Sequence, residues 1–562
     1  MDNRRLLVAF TLSLVVIVVW YWLFPPPKPA PPRPPAEQER VAPATPPASP
    51  GAAASPAPGA AAAPAAPAQR IEAAAEERIT LTDGTQRAVL TNRGAQLLSM
   101  IVPEKTKGAG GELEMVRRRV AGPYPYALVV RGALSHPLND ALFRAERSAD
   151  GRSVLFRYTG PLGSAEKRFR LNDRGLLEVD VRVPGRTDWR VLVGPGIRNP
   201  TPEELESRFE LRRAVYRAGG DVERLDAAGE EAPVAIPGTG LGWAGLEDTY
   251  FLSAQIPQGT VDRAVLTPVF VQPVEKTGAR FIPVPPEDQI TPELKDLPRE
   301  FFLSFQPEAD RLALVSYWGA KEYERLASLP YGLQETVQLG AFSFLARPLL
   351  AGLHWIYDNM VANYGWAIVL MTVLIKILTL PLTHHSTKSM KKMQDLNPKV
   401  QAIRDRYRTK LRDKQGRPNM EMQQKMNQEV MAVYKEAGVN PASGCFPLLL
   451  QMPILFAFYS LLSSAVELRK APWALWIHDL SMHDPYYVLP IVMGLTQFLQ
   501  VRLGPQAGDP MQRRLFQLMP LIMTFVFLGF PSGLVLYWLT NNVLTIIQLQ
   551  IYNRLQPQPG KA

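Results

Sequence analysis

Residues 364–382 read YGWAIVLMTVLIKILTLPL, and the lysine at position 376 decides how they are understood. The run is long enough to cross a bilayer, which takes about 20 apolar residues. A charge at that depth costs roughly 2.5–3.5 kcal/mol on insertion scales and is usually kept for function. None of the chain's long apolar runs contains an Asp or Glu to neutralise it. A buried unpaired ammonium loses its proton or draws in water. The simplest resolution is a water-filled pocket inside the membrane that holds positive charge. Snorkelling is the plainer alternative, since Leu382 is close and a lysine stem reaches far. Thr372, Lys376, Thr379 and Thr383 argue against it, because at i, i+4, i+7 and i+11 they form one polar stripe. Snorkelling needs no stripe.

Outward from this run, the 562-residue chain divides into two regimes. Residues 25–335 are soluble in character, and residues 340–555 are mostly membrane-like. Leu6 to Phe24 is a first apolar run, with Arg4 and Arg5 before it and Trp20-Tyr21-Trp22 near its end. That order places the N-terminus in the cytoplasm and an aromatic belt on the far side. Pro25-Pro26-Pro27 follows with no A-x-A site close by, so residues 1–24 read as a retained transmembrane anchor rather than a cleaved signal peptide. Residues 25–70 are rich in Pro and Ala, cannot bury a core, and read as a disordered, extended linker. Residues 71–330 show short alternating segments such as Ile79–Thr82, Arg87–Leu90 and Leu177–Val183, broken by Gly, Pro and Asn. Their period of two predicts an all-β sandwich, expected in the periplasm. It has no cysteine, which an oxidising compartment tolerates because a domain of this size buries enough apolar surface. No polar stripe in the apolar runs points towards it, so it reads as largely dispensable to whatever the membrane part does.

Four further runs follow, at about 445–466, 486–503, 516–530 and 532–551. Some are short, which fits a thinned membrane or tilted flanks. Six spans place both termini in the cytoplasm. Between Leu382 and Cys445 lie thirteen basic and six acidic residues, a surplus of seven that marks this loop as inside. Arg513 and Arg514 mark the next loop on that side, while residues 467–485 carry acids, Trp473 and Trp476, as expected outside. The net charge of +10 is therefore read as topology and contact with anionic lipids, not as nucleic-acid binding.

The last run has its own stripe: Tyr537, Asn541, Thr545, Gln548 and Tyr552. Gln451 lies early in its span, and Gln497 and Gln500 lie late in theirs, so all three belong to the cytoplasmic half. Leu455, Phe456, Phe458, Phe525, Phe527 and Leu528 make the outer half apolar. A bundle with these stripes inward has a wet inner half and a dry outer half. Amide side chains also cross-link membrane helices, so each of them alone is open to a structural reading. Residues 384–440 read as a cytoplasmic helical hairpin. Asn397-Pro398 starts it, Val400, Ile403 and Tyr407 trace one face, and Met422, Met426, Val430 and Val433 trace the returning face. Its methionines offer adaptable apolar surface for a client or for the hairpin's own seam. Residues 340–363 read as an amphipathic helix in the outer interface, from Phe342, Leu345, Leu349, Leu353, Ile356 and Met360.

Cys445 is the sole cysteine and reads as a small packing residue. His384-His385, and His478-Asp479 with His483-Asp484, have no spacing that defines a metal site. No Walker A, G-x-S-x-G or Rossmann pattern stands in a suitable context, so no cofactor, metal or catalytic residue is assigned and the chain does not read as an enzyme. A secondary transporter or channel for small anions is the rival class. It would show internal repeats and broken helices, and neither is evident. A carbohydrate-active sandwich is a further rival, without an evident carboxylate pair.

The stretch NPASGCFPLLLQMPILFAFYSLLSSAVELRKAPWALWIHDLSMHDPYYVLPIVMG, together with FPSGLVLYWLTNNVLTIIQ and ILTLPLT, resembles the YidC/Oxa/Alb membrane insertases. The resemblance covers about 340–555. Tyr317–Lys321 and the preceding sandwich resemble the periplasmic domain of the Gram-negative type. The resemblance implies a six-span protein with a five-helix insertase core at 364–555. It would insert and fold nascent membrane proteins in the bacterial inner membrane, alone or with the Sec translocon. It further implies a hydrophilic groove whose cation, most often arginine, is here Lys376. Lysine keeps the charge but loses the planar fork of donors. Tyr537 and Trp538 match an aromatic pair lining the groove, where two tyrosines are common. The expected groove set is Lys376, Thr372, Thr379, Gln451, Gln497, Gln500, Tyr537, Trp538, Asn541 and Thr545. The basic hairpin, with Tyr407, Met422 and Met426, could meet a ribosome or targeting factor. The tail 556–562 is short, with Lys561 its only charged side chain, and does not support ribosome binding.

Overall fold

A computed structural model describes residues 70–555 apart from 106–110, 121, 131–132, 202–203, 205–210, 275–277, 286–288, 412–418, 440–445 and 505–509. The expected anchor (1–24), the linker except its last residue, Cys445 and the tail lie outside the described residues. By internal contacts the chain divides into one unit of residues 70–406 and 425–562 and another of 1–69 and 407–424. All that follows on packing concerns the first.

Among the described residues, strands between Arg78 and Ala320 form antiparallel sheets of four, six and nine strands. The period-two expectation has a direct counterpart. In the strand Leu177–Arg182 the odd positions Leu177, Val179 and Val181 are buried and the even ones are not. Inward residues of the sheets meet in one core, with Leu90 and Met100 from the four-stranded sheet, Val191 and Phe305 from the six-stranded, and Phe156 and Trp318 from the nine-stranded. Polar groups inside it are paired, as they must be. Trp318 Nε1 donates to Tyr126 Oη (3.0 Å), and Tyr126 Oη donates to Ser316 Oγ (2.9 Å). Lys167 is fully buried and donates to the carbonyls of Gly94 (2.6 Å), Ala95 (3.3 Å) and Tyr126 (2.7 Å). It ties the four-stranded sheet's turn to the nine-stranded sheet.

The helical part begins with α1 (Ser343–Asn359) and α2 (Tyr364–Asp395). Next come α3 (Asn397–Tyr407) and α4 (Met420–Glu436). The last four are α5 (Phe446–Ser464), α6 (Val488–Leu503), α7 (Pro510–Phe527) and α8 (Ser532–Leu555). Of these, α2 and α8 are long and apolar enough to cross a membrane, while α5, α6 and α7 contribute shorter apolar segments. Helix α8 is the hub, packed on α2, α5 and α6. On α1, Leu350, Leu353 and Ile356 are buried against α2 and α5, while Phe344 and Trp355 stand exposed.

One expectation needs correction. Helix α2 does not stop near Leu382 but runs to Asp395, so the first residues of the expected hairpin at 384 continue the helix. The polar side chains after Leu382 hide this, because hydropathy falls while helical hydrogen bonding continues. The β domain also meets the helical part directly. Lys105, in the loop after Gln96–Pro103, donates to the carbonyls of Glu467 (3.3 Å) and Arg469 (3.0 Å) in the loop after α5.

Candidate functional site

Lys376 lies midway along α2 and reaches across to α8, where its Nζ donates to Thr545 Oγ1 at 2.8 Å. Thr545 Oγ1 in turn donates to the Asn541 carbonyl at 2.7 Å. Two turns further along α2 in the same seam, Gln548 Nε2 donates to Thr383 Oγ1 at 3.1 Å. Among the described residues no carboxylate acts on the Lys376 ammonium, and its hydrogen-bond partner is one neutral hydroxyl. The opposite side of α2 presents Leu374, Ile377 and Leu378, which are 50%, 63% and 71% exposed. The lysine thus points into the bundle and the apolar side chains point outward, the arrangement expected of an intramembrane charge.

The threonines near Lys376 behave differently from one another. The Thr372 hydroxyl donates to Ile368 O (2.7 Å), and the residue is only 2% exposed. Thr379 donates to Ile375 O (2.9 Å) and stays half-buried. Such bonds to the preceding turn satisfy a hydroxyl without a partner helix. Thr372 is therefore packed in the bundle, while Thr379 and Thr383 remain at a partly open edge.

At the α5–α8 seam, Gln451 Nε2 donates to Tyr537 Oη, and the Tyr537 ring stacks on Phe458 with centroids 4.3 Å apart. Trp538 meets Phe527 edge-on at 5.2 Å. Asn541 is half-buried between these contacts and Thr545 along α8. Gln497 and Gln500 stand apart. They sit on α6 with Met493 and Thr496, and their side-chain oxygens are buried without a hydrogen-bond partner. What faces Met493 and Thr496 is Asn542, which sequence reasoning passed over. It is 2% exposed, and its Nδ2 donates to Met493 O (3.2 Å) and Thr496 Oγ1 (3.4 Å). The adjacent pair Asn541-Asn542 was the available signal, since neighbours on a helix point 100° apart and serve two partner helices. Tyr407 ends α3, and Met422 and Met426 lie in the first two turns of α4. Among the described residues no group of three or more His, Cys, Asp or Glu could hold a metal.

A second charged cluster, unforeseen from sequence, lies outside the spans. His354 on α1 faces Glu324 through Nδ1 (3.2 Å) and Glu467 through Nε2 (3.2 Å). Burial disfavours its charge, but Glu467 and Glu324 outweigh that and hold it above the usual histidine value. Arg469 is 3% exposed and is ion-paired with Glu104 and with Glu204 (2.7 Å). Arg198 shares Glu204 (2.6 Å) and also pairs with Asp248.

Comparison with known proteins adds a second line. A family model described as "60Kd inner membrane protein" matches residues 355–559. The membrane protein insertase YidC of Nitratidesulfovibrio vulgaris (strain DP4) is 32% identical over 568 residues, spanning 98% of both chains. The membrane protein insertase YidC of Geobacter metallireducens is 35% identical over 489 residues, spanning 83% of this chain and 84% of its own. A solved structure, the active YidC insertase crystal structure with the first transmembrane domain resolved, covers 87% of this chain and 95% of its own at 18% identity, with a TM-score of 0.33. That superposition is too loose to carry an argument. The sequence relatives carry it.

Proposed function

The chain belongs to the YidC family of membrane protein insertases of the bacterial inner membrane, and from that membership we propose how its helices do the work. A client's hydrophilic segment enters between the helices from the cytoplasmic side, drawn by Lys376. The half-buried Thr379, Asn541 and Thr545 solvate it, with Gln451 and Tyr537 at the α5–α8 seam and Trp538 beside them. Thr372, Gln497 and Gln500 support the walls. The client's apolar segment leaves along the apolar faces of α2 and α5. Burial of roughly 20 apolar residues drives this without ATP, at about 0.8 kcal/mol per CH₂ transferred. The membrane potential helps acidic segments outward by about 2.3 kcal/mol per charge per 100 mV.

The single observation carrying this reading is the Lys376 ammonium, turned inward onto a neutral hydroxyl with no carboxylate acting on it. A purely structural lysine would have an acid partner or none of the surrounding polar seam. The finer organisation is part of the same proposal. It comprises six spans with 1–24 as the first, both termini cytoplasmic, and a five-helix core in 364–555. It also comprises a periplasmic β sandwich at 71–330 and a cytoplasmic hairpin ending near 440. Clients arrive alone or from the Sec translocon, and the basic hairpin meets anionic lipid and a ribosome or targeting factor.

The test is reconstitution in liposomes with a small client whose translocated segment is acidic. Lys376→Arg retains insertion, whereas Lys376→Ala and Lys376→Glu impair it. Normal insertion by Lys376→Glu would sink the charge-attraction mechanism.

A further inference from the structure

The loop of residues 465–484, between α5 and α6, holds the outer ends of three helices at once. At α2, Asn363 caps the helix by accepting from Trp366 N (3.1 Å), while its Nδ2 donates to the carbonyls of Pro472 (3.1 Å) and Trp473 (3.2 Å). Trp473 then lies so close to Gly365 that an added Cβ would stand 2.2 Å from its ring. It also meets Trp366 edge-on at 5.8 Å. At α8, Ser532 donates to Met482 O through N (2.7 Å) and Oγ (2.8 Å), and Gly533 N donates to Leu480 O (2.9 Å). At α6, Asp484 Oδ2 accepts from Leu489 N (2.7 Å). The two helices that meet at Lys376 and Thr545 therefore both start on this loop.

The loop is in turn fastened to the β domain, and the fastening centres on Arg469. Its guanidinium is buried between Glu104 and Glu204, and lies 5.4 Å from the Phe251 ring, which Arg198 also approaches at 5.0 Å. Lys105 holds the Glu467 and Arg469 carbonyls, and Lys470 reaches Glu104 at 3.0 Å. Lys470 itself is held at φ 52°, a left-handed conformation that a side-chain-bearing residue adopts only when its surroundings impose it. Glu104 and Glu204 are each shared between two cations, so removing Arg469 breaks two buried pairs at once while Lys470 and Arg198 keep either acid from standing alone.

We propose that the 465–484 loop is a platform that sets the placing of α2 and α8, and that Arg469 is the positioning residue through which the β domain fixes that platform. The partner it fits is therefore the chain's own extracytoplasmic domain, by charge complementarity with Glu104 and Glu204. Its consequence for insertion rests on the groove reading above. The structural part does not.

The experiment uses the full chain in nanodiscs with Cys445→Ser, and with Trp366→Cys labelled by bimane, which a nearby tryptophan quenches on contact. Trp473 quenches the label while the loop sits on α2, and Trp473→Phe gives the unquenched reference. Arg469→Ala is expected to lose most of the quenching, Glu204→Gln to lose part, and Arg469→Lys to keep most of it. Should Arg469→Ala fail to fold, the ordering of Glu204→Gln and Arg469→Lys around the parent decides the matter. Quenching equal to the parent's in Arg469→Ala, or in Glu204→Gln where only that variant folds, overturns the proposal. Insertion is measured on the same samples. Normal insertion with lost quenching overturns the link to function, whereas failure of the groove reading shows only in Lys376→Glu and leaves the quenching order intact.

Discussion

The chain buries charge in two places and treats it in opposite ways. At the α2–α8 seam one ammonium, Lys376, faces one neutral hydroxyl. At the junction with the β domain, Arg469, Arg198, His354 and Lys105 are matched by Glu104, Glu204, Asp248, Glu467 and backbone carbonyls. Matched charge fixes geometry, because any movement breaks several pairs together. Unmatched charge stores an unmet demand for a counter-charge, which an acidic segment or water can fulfil. The difference separates scaffold from working surface more clearly than burial does.

Breaking the matched side should give the largest effect. Arg469→Ala leaves Glu104 with Lys470 and Glu204 with Arg198, so the loss sits at the low end for a broken buried pair, about 3 kcal/mol. Thermal unfolding in detergent reads it, and a change below about 1 kcal/mol would mean the pairs are solvent-screened in solution.

The unmatched side should respond in activity and hardly in stability. Lys376→Glu is expected to lower insertion of a client with an acidic translocated segment about tenfold, the equivalent of roughly 1.4 kcal/mol. A client with a neutral translocated segment should be much less affected. Equal losses for both would show that the residue acts through packing.

Asn542 tests the comparison from between the two. It is polar and buried but its amide nitrogen is matched, so Asn542→Leu should loosen α6 from α8 by about 0.6–1.7 kcal/mol, the range for hydrogen bonds between membrane helices. Insertion should fall only as far as stability does. A selective loss of insertion would move Asn542 to the working side.

The smallest effect is in pH. His354 is held above its ordinary value of 6.5 by Glu467 and Glu324 against the opposing effect of burial. Protonated, it pairs electrostatically with both carboxylates. Neutral, it can donate to one. The stability it lends is therefore fully present below pH 6.5 and lost as pH rises through the raised value. His354→Gln should flatten the pH dependence of unfolding in that window, and an unchanged profile would assign the dependence to another group.

How far these regions could be read from sequence follows from periodicity. Lys376, Thr545 and Tyr537 are legible because a charge or a hydroxyl breaks an apolar run at helical spacing. The strands of the β domain are legible because Leu177, Val179 and Val181 alternate with polar neighbours. Arg469 and Glu104 were not, since they sit in loops where no period ranks one charge above another. The extension of α2 to Asp395 was missed because its polar end has helical hydrogen bonding without a helical hydropathy pattern. Thr372 looked like part of an open stripe, and only the packing against α2's neighbours shows that it is enclosed.

The central claim is that water reaches the Lys376 seam from the cytoplasm. An unsatisfied polar group in lipid costs several kcal/mol, so the seam stays polar only if it is wet or closed by hydrogen bonds. Full chain carrying Cys445→Ser is reconstituted with Asn541→Cys or Thr379→Cys, and with Phe458→Cys or Phe527→Cys as dry references. A membrane-impermeant maleimide is then added to one side at a time. The account predicts labelling of the first pair from the cytoplasmic side alone and none of the second. Labelling from both sides would indicate a pore, and labelling from neither would mean a dry bundle, contradicting the groove.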